Sequence, residues 1–367
     1  MNDHSSWLAV GKAWMFALVC ASAASGSSIS AQQPPAFLAA TKGQIVGLAY
    51  VGRMVGDLDR SVAFYSALGF TPVTEGVNSA WRADPVMNRI HGTQNVESRM
   101  AKFTIESAVS GKPFTLYLRE FRGIPRRDVT GGKTPWEPAA AHLGIAVPDP
   151  VATWAKLRAA GLLKPRSWGG ELVVRPGETK GTIAYLTDPD GMDIEIFDRR
   201  PAALATTATS PRTGTVPAFD HAGLVVADIE RALGFYGSLL GERFPAAPTE
   251  WMSGDFLDAA TGGHGNILKL YNGSFPEAAA PDLRLRFELV EYLNRKKPVE
   301  PFALTDIGVT YVGFEVTDLE ALLTRLHGAG APLVSDGIVP MSGMGVALVR
   351  DLDVGMFMQL FERPKQP

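Results

Sequence analysis

A chain of 367 residues is long enough for two domains that each bury a core of their own. Its composition, 46% hydrophobic and 20% charged, is that of an ordinary globular protein and excludes a disordered or fibrous chain. A formal charge of -3 with no long basic run lacks the clustered Lys and Arg that neutralise phosphates, so no nucleic-acid partner is expected.

The chain opens on a polar start with Lys12, an apolar run WMFALVCASAA and then small residues to SSISAQQPP. That order predicts a secretory signal peptide over residues 1–31, cleaved near Ala31. The apolar run is too short to span a bilayer, so no stable membrane insertion is expected after cleavage. Cys20, the one cysteine, lies in this segment behind Val19, where a lipid-attachment site would want a small residue. The expected mature protein has neither thiol nor disulfide, and its expected location is secreted or periplasmic.

From Val46 the chain repeats itself. VGDLDRSVAFYSALGF returns as VADIERALGFYGSLLGE, with Asp57, Arg60, Phe64 and Tyr65 answered by Asp228, Arg231, Phe235 and Tyr236. VPDPVATWAKLRAAG and VTDLEALLTRLHGAG match each other and these openings: an alternating apolar strand, an Asp at the turn, then an amphipathic helix. The Asp stands where a helix N-cap is wanted, and Gly161 and Gly330 follow as stop signals. Runs such as KPFTLYLREF, TIAYLTDP, MDIEIF, LRFELVEY and MFMQLF then read as strands. The expected fold class is α+β, with four βαβββ modules at roughly 46–123, 139–200, 217–293 and 306–363. Modules 1 and 2 make a domain over 46–200 and modules 3 and 4 another over 217–363, joined by an exposed Ala-, Thr- and Pro-rich linker at 201–216. One short helix cannot cover a sheet, so modules should pair around shared clefts.

Modules 2 and 3 each open on a strand carrying a histidine (AHLGIAVPD, DHAGLVVAD) and close on one carrying a carboxylate (MDIEIFD, LRFELVEY). If these strands line one cavity, His142, Glu195, His221 and Glu288 form a metal site of two histidines and two glutamates. Two imidazoles and two carboxylates suit one divalent ion, Zn, Ni, Co, Mn or Fe, without choosing among them.

The order of elements, the openings HLGIAVPD and HAGLVVADIERALGFY, and the closing TDPDGMDIEIF resemble the vicinal oxygen chelate superfamily of glyoxalase I, methylmalonyl-CoA epimerase and extradiol dioxygenases. The resemblance implies two glyoxalase-like domains whose ligands come from the first and last strands of paired modules. Those positions hold Tyr50, His142, His221 and Tyr311 on the opening strands and Tyr117, Glu195, Glu288 and Gln359 on the closing ones. Neighbour pairing would split the ligands between two incomplete sites. Exchange of modules between halves, as the glyoxalase I dimer makes, would complete one site, and ligand economy favours it.

The expected activity is that of a metal-dependent lyase or isomerase of the glyoxalase or epimerase type, acting on a small carbonyl compound through an enediolate. Glu195 and Glu288 are the candidate bases. Glutathione adducts do not suit an exported enzyme, that thiol being chiefly intracellular. The alternatives are an extradiol-type dioxygenase, which needs two histidines and one carboxylate around Fe(II), and a metal-free ligand-binding or resistance protein. Arg53, Arg82 and Arg119 are cations expected to face a cleft and hold an acidic substrate. His91 and His264 are expected in loops and His327 at a helix end, and Tyr50, Tyr117 and Tyr311 are expected to fill their vacated site.

Overall fold

Four aspartates set the strand-to-helix turns from which the modules are built. Each accepts a backbone N–H three residues on: Asp57 from Arg60 at 3.0 Å, Asp149 from Ala152 at 2.8 Å, Asp228 from Arg231 at 3.1 Å and Asp318 from Ala321 at 3.0 Å. The computed structural model describes residues 45–74, 79–108, 112–129, 134–137, 141–174, 181–198, 216–233, 235–236, 250–274, 286–294, 301–351 and 355–364. The expected signal peptide, and the linker up to residue 215, lie outside the described residues.

Module 1 comprises β1 (Ile45–Met54), α1 (Leu58–Leu68), β2 (Thr71–Val73), β3 (Arg82–Ala83), α2 (Pro85–His91), β4 (Glu97–Ser107) and β5 (Pro113–Arg122). Module 2 follows with β6 (Ala141–Val147), α3 (Pro150–Ala159), β7 (Val173–Val174), β8 (Thr182–Thr187) and β9 (Asp193–Asp198). Module 3 holds β10 (Ala218–Val226), α4 (Ile229–Leu233), β11 (Met252–Ser253), α5 (Asp255–Thr261), β12 (Ile267–Ser274) and β13 (Arg286–Tyr292). Module 4 holds β14 (Thr310–Val316), α6 (Leu319–Gly328), β15 (Val339–Met341), β16 (Met344–Arg350) and β17 (Phe357–Glu362).

Module 1 thus carries a short strand and a helix beyond the expected pattern, and module 3, among its described residues, an extra helix. These helices are too short to show a period in sequence, and they are held by local bonds instead. Asp84 caps α2, and the Asn88 side chain accepts from Val96 N at 3.1 Å, as Asp258 accepts from Asn266 N at 3.0 Å in module 3.

Within each module the opening strand runs parallel to the closing one: β1 with β5, β6 with β9, β10 with β13 and β14 with β17. Between modules, β1 pairs antiparallel with β14 and β6 antiparallel with β10. A short parallel contact of Ala218 and Phe219 with Glu106 and Ser107 joins the two module pairs into one continuous sheet. Alternation along the strands then divides the apolar residues among three cores. Leu143, Ile145, Ile194, Leu224, Leu289, Phe314 and Leu360 face a common core shared with the helices, drawn from modules 2, 3 and 4 and joined by Leu48 and Val51 of module 1. The opposite faces form separate clusters, one around Tyr311, Val346 and Phe357 and the other around Ile183, Tyr185, Phe197, Val225 and Val290.

Arg53 on β1 is the most demanding residue of the fold. Rather than facing a cleft, as its charge led one to expect, it is 1% exposed. Its guanidinium donates from Nε to Asp188 Oδ2 at 2.6 Å and from Nη2 to Asp188 Oδ1 at 3.1 Å. Nη1 donates to Gly308 O at 2.7 Å and Nη2 to Asp190 O at 3.0 Å. Tyr65 of α1 donates to the same carboxylate, at 2.9 Å. One cation therefore ties β1 and α1 to the β8–β9 turn and to the approach to β14. In the other half Tyr236 donates to Asp351, the counterpart of the tyrosine bond. Removing one member of such a buried pair strands the other charge. Arg53→Met is expected to lose about 3–5 kcal/mol of stability in urea denaturation, and the double variant Arg53→Met/Asp188→Leu to recover most of it.

Candidate metal centre

Register brings the four candidate ligands together. Across β9, β6 and β10, Glu195 stands beside Gly144 and Gly144 opposite His221; one pleat away, His142 stands opposite Gly223, which stands beside Glu288. Each imidazole therefore lies over a glycine of the partner strand. A Cβ on Gly144 would fall inside the His221 ring, and one on Gly223 inside the His142 ring. Only glycine permits this approach, and it lets both rings turn toward the glutamates of the flanking strands.

His142 Nε2 and His221 Nε2 are 3.1 Å apart. Glu195 Oε2 lies 3.1 Å from His221 Nε2 and 3.9 Å from His142 Nε2, and Glu288 Oε1 lies 3.4 Å from His142 Nε2. All four residues are buried, none more than 6% exposed. His142, Glu195 and His221 each offer a ligand atom within 4.8 Å of the others. Neighbouring ligands on one ion with bonds of about 2.1 Å stand about 3 Å apart, which is the spacing seen.

The surroundings ask for a cation. His221 Nδ1 lies 3.0 Å from Asp220 Oδ2, and Asp220 also accepts from Arg286. A carboxylate at Nδ1 holds the proton there and leaves Nε2 bare to bind a metal. Burial alone would push the His221 imidazolium down, but Glu288, Asp220 and Glu195 outweigh it and push the group up to about 10. Two glutamates and an aspartate around two imidazoles leave an excess of buried negative charge, and Glu288 Oε2 has no hydrogen-bond partner. The donor set, its spacing and this charge fit one divalent ion.

An aromatic shell closes over the centre. Tyr185 meets His142 edge-on at 5.7 Å and Phe197 stacks beside His221 at 6.2 Å. Burial, then Glu195 and Glu288, hold the Tyr185 hydroxyl well above the usual phenol range, so it stays protonated. Asp193, opposite His142, is raised by burial to about 6 despite the Arg166 guanidinium, whose Nε donates to it at 2.8 Å.

The other histidines among the described residues lie elsewhere. His91 ends α2 rather than sitting in a loop; it is buried edge-on to Phe121 at 5.5 Å, and burial and Arg119 keep it neutral. His264 stacks on Trp168 at 4.8 Å, where Trp168 Nε1 donates to Gly263 O across modules 2 and 3. His327 stands in the last turn of α6. Asp220, Tyr185 and Phe197 escaped the sequence reading. Asp220 left a signal, a carboxylate directly before the ligand histidine in FDHAG, whereas Tyr185 and Phe197 read only as strand residues.

The profile of the Glyoxalase/Bleomycin resistance protein/Dioxygenase superfamily matches residues 47–196, and a second profile of the same superfamily matches residues 220–347. The chain belongs to this superfamily, as a tandem two-domain member. A probable chloroplastic lactoylglutathione lyase of Arabidopsis thaliana is 25% identical over 223 residues, which are 60% of this chain and 51% of that protein. The match thus spans about half the length of that relative. Glyoxalase I from Zea mays superposes with a TM-score of 0.54 at 16% identity, over 89% of this chain and 94% of its own. A mutant of the same maize enzyme superposes with a TM-score of 0.53 at 16% identity, over 89% and 96%. At these identities the likeness is one of fold.

Two substitutions probe the centre without touching a ligand. Gly223→Ala, which drives a methyl into the His142 ring, is expected to abolish metal retention while the circular dichroism spectrum stays native. Asp220→Asn is expected to weaken metal affinity about 10- to 100-fold in a chelator competition titration.

Proposed function

We propose that the chain is a metal-dependent lyase or isomerase of the glyoxalase or epimerase kind, acting on a small carbonyl compound with adjacent oxygens. The observation that carries the reading is the convergence of His142, His221, Glu195 and Glu288 in one buried cluster. The lyase named among its relatives supports the same class of chemistry. A divalent ion held by these residues would supply Lewis-acid polarisation of the substrate oxygens.

The residues divide the remaining work. His142, His221 and Glu195 form the tighter set, with Asp220 orienting His221. Glu288 stands at the edge of that set, 3.4 Å from His142 and with Oε2 unpartnered, and is the better placed of the two candidate bases. Its carboxylate takes the proton from the hydroxyl-bearing carbon beside the carbonyl and returns it to the former carbonyl carbon, while the hydroxyl proton passes between the two adjacent oxygens, so the net change is an isomerisation. The apolar wall of Ile183, Tyr185, Val225 and Val290 excludes water and strengthens each charge interaction within it. We propose as well that the amino-terminal segment acts as a signal peptide and directs this chemistry outside the cytoplasm, which favours free carbonyl compounds over glutathione adducts.

A second reading has an observation of its own. His142, Glu195 and His221 alone make a set of two histidines and one carboxylate, the pattern of Fe(II) oxygenases, with Glu288 to spare. Elemental analysis of the purified protein is expected to find one equivalent of divalent metal, lost in both His142→Ala and His221→Ala. Glu288→Gln is expected to keep the metal and to lose about 100-fold or more in deuterium exchange from D2O into an α-hydroxyketone. Absence of metal after reloading, or its loss in only one histidine variant, would overturn the reading. Ring cleavage of a catechol after anaerobic Fe(II) loading would decide for the dioxygenase.

A further inference from the structure

The opening strands β1 and β14 repeat the backbone of the metal centre with different chemistry. Tyr50 stands opposite Gly313 and Tyr311 opposite Gly52; Gln359 stands beside Gly313 and Tyr117 beside Gly52. A Cβ on either glycine would fall inside the facing tyrosine ring, as at the histidine pair. The four positions that elsewhere hold two histidines and two glutamates thus hold three tyrosines and a glutamine.

The tyrosines do not fill this site, contrary to expectation. Tyr50 packs edge-on to Tyr117 at 5.1 Å and to Tyr311 at 6.2 Å and stacks on Phe361 at 5.9 Å. Above them a cavity of about 550 Å³ remains, a size that takes a small organic ligand.

Arg119 lines this cavity at 6% exposure. Its Nη1 donates to Ser98 Oγ at 2.9 Å, Nη2 approaches the weak acceptor Met100 Sδ at 3.0 Å, and the Tyr311 hydroxyl bonds to it. Nε, itself buried, has no acceptor. Among the described residues no carboxylate lies within ion-pair distance of Arg119. The carboxylate that lines the cavity, Asp84, is spent on Arg82 at 3.2 Å and on the first amides of α2. A buried guanidinium with no carboxylate in contact and only the more distant Asp84 acting on it, beside an aromatic floor, is the chemistry that takes an organic anion with a flat apolar body.

We infer that the cavity between modules 1 and 4 is a metal-free binding site for a small aromatic carboxylate, held through Arg119 and packed on Tyr50, Tyr117 and Phe361. It is independent of the metal centre and of the reaction proposed there. The planar fork of Arg119 pairs with the carboxylate, and the amide of Gln359 adds a neutral partner where a glutamate would repel it.

The test is calorimetric titration of the purified full chain with trans-cinnamate and with its neutral amide, with and without a chelator. One equivalent of cinnamate is expected to bind, unchanged by the chelator and in His221→Ala, with the amide weaker by about tenfold or more. Arg119→Met, and independently Met341→Trp, which fills the cavity, are each expected to weaken cinnamate about tenfold or more. Should Arg119→Met fail to fold by circular dichroism, Met341→Trp alone carries the comparison. No saturable binding up to about 10 mM, equal affinity for acid and amide, or binding that vanishes with the chelator or in His221→Ala would overturn the inference.

Discussion

The protein rests on one close approach made twice: two opening strands pair antiparallel, and each lays a ring over a glycine of the other. Gly144 and Gly223 accept the two imidazoles, and Gly52 and Gly313 accept two phenols. With a Cβ at any of these positions the ring would be pushed out of the row and away from the closing-strand residue beside it. The pairing of modules and the position of each site therefore have a single physical origin. Everything else in the sheet, including the parallel closing strands that bring Glu195, Glu288, Tyr117 and Gln359, takes its register from these strands.

A shared scaffold with two different fillings separates fold from chemistry. Between modules 2 and 3, four side chains of complementary donor type converge and are steadied from behind by Asp220 and Arg286. Between modules 1 and 4, the same positions carry three phenols and an amide in place of imidazoles and carboxylates, and a buried cation, Arg119, stands nearby. The two faces form clusters separate from a common core to which all four modules contribute. Arg53 fastens that arrangement by tying module 1 to module 2 and to the approach to module 4 at once. Leu224 stands at the matching place in module 3, so the fastening is one-sided.

Much of this was legible in the chain. The turn aspartates 57, 149, 228 and 318 announced the modules because a helix N-terminus needs an acceptor within three residues, a local requirement. His142, Glu195, His221 and Glu288 were legible because the same residue types recur at the same places in two modules. The short helices α2 and α5 were not, since seven residues held by Asn88 or Asp258 show no amphipathic period. Arg53 was misjudged for a related reason: an arginine in a strand reads as exposed unless its partner is known, and Asp188 is 135 residues away.

The sequence by itself determined the module count, the alternation that sorts each strand into a core face and a cleft face, and the residue types available for chemistry. These follow from short-range patterns, since capping and the two-residue pleat act between near neighbours. Only the tertiary structure decided that β6 lies against β10 and β1 against β14, that Asp220 backs His221, and that an open cavity with a buried arginine stands where three tyrosines gather. Those outcomes depend on contacts between residues far apart in the chain, where the free energy of packing rings over glycines and matching buried charges is shared among segments that no local pattern connects.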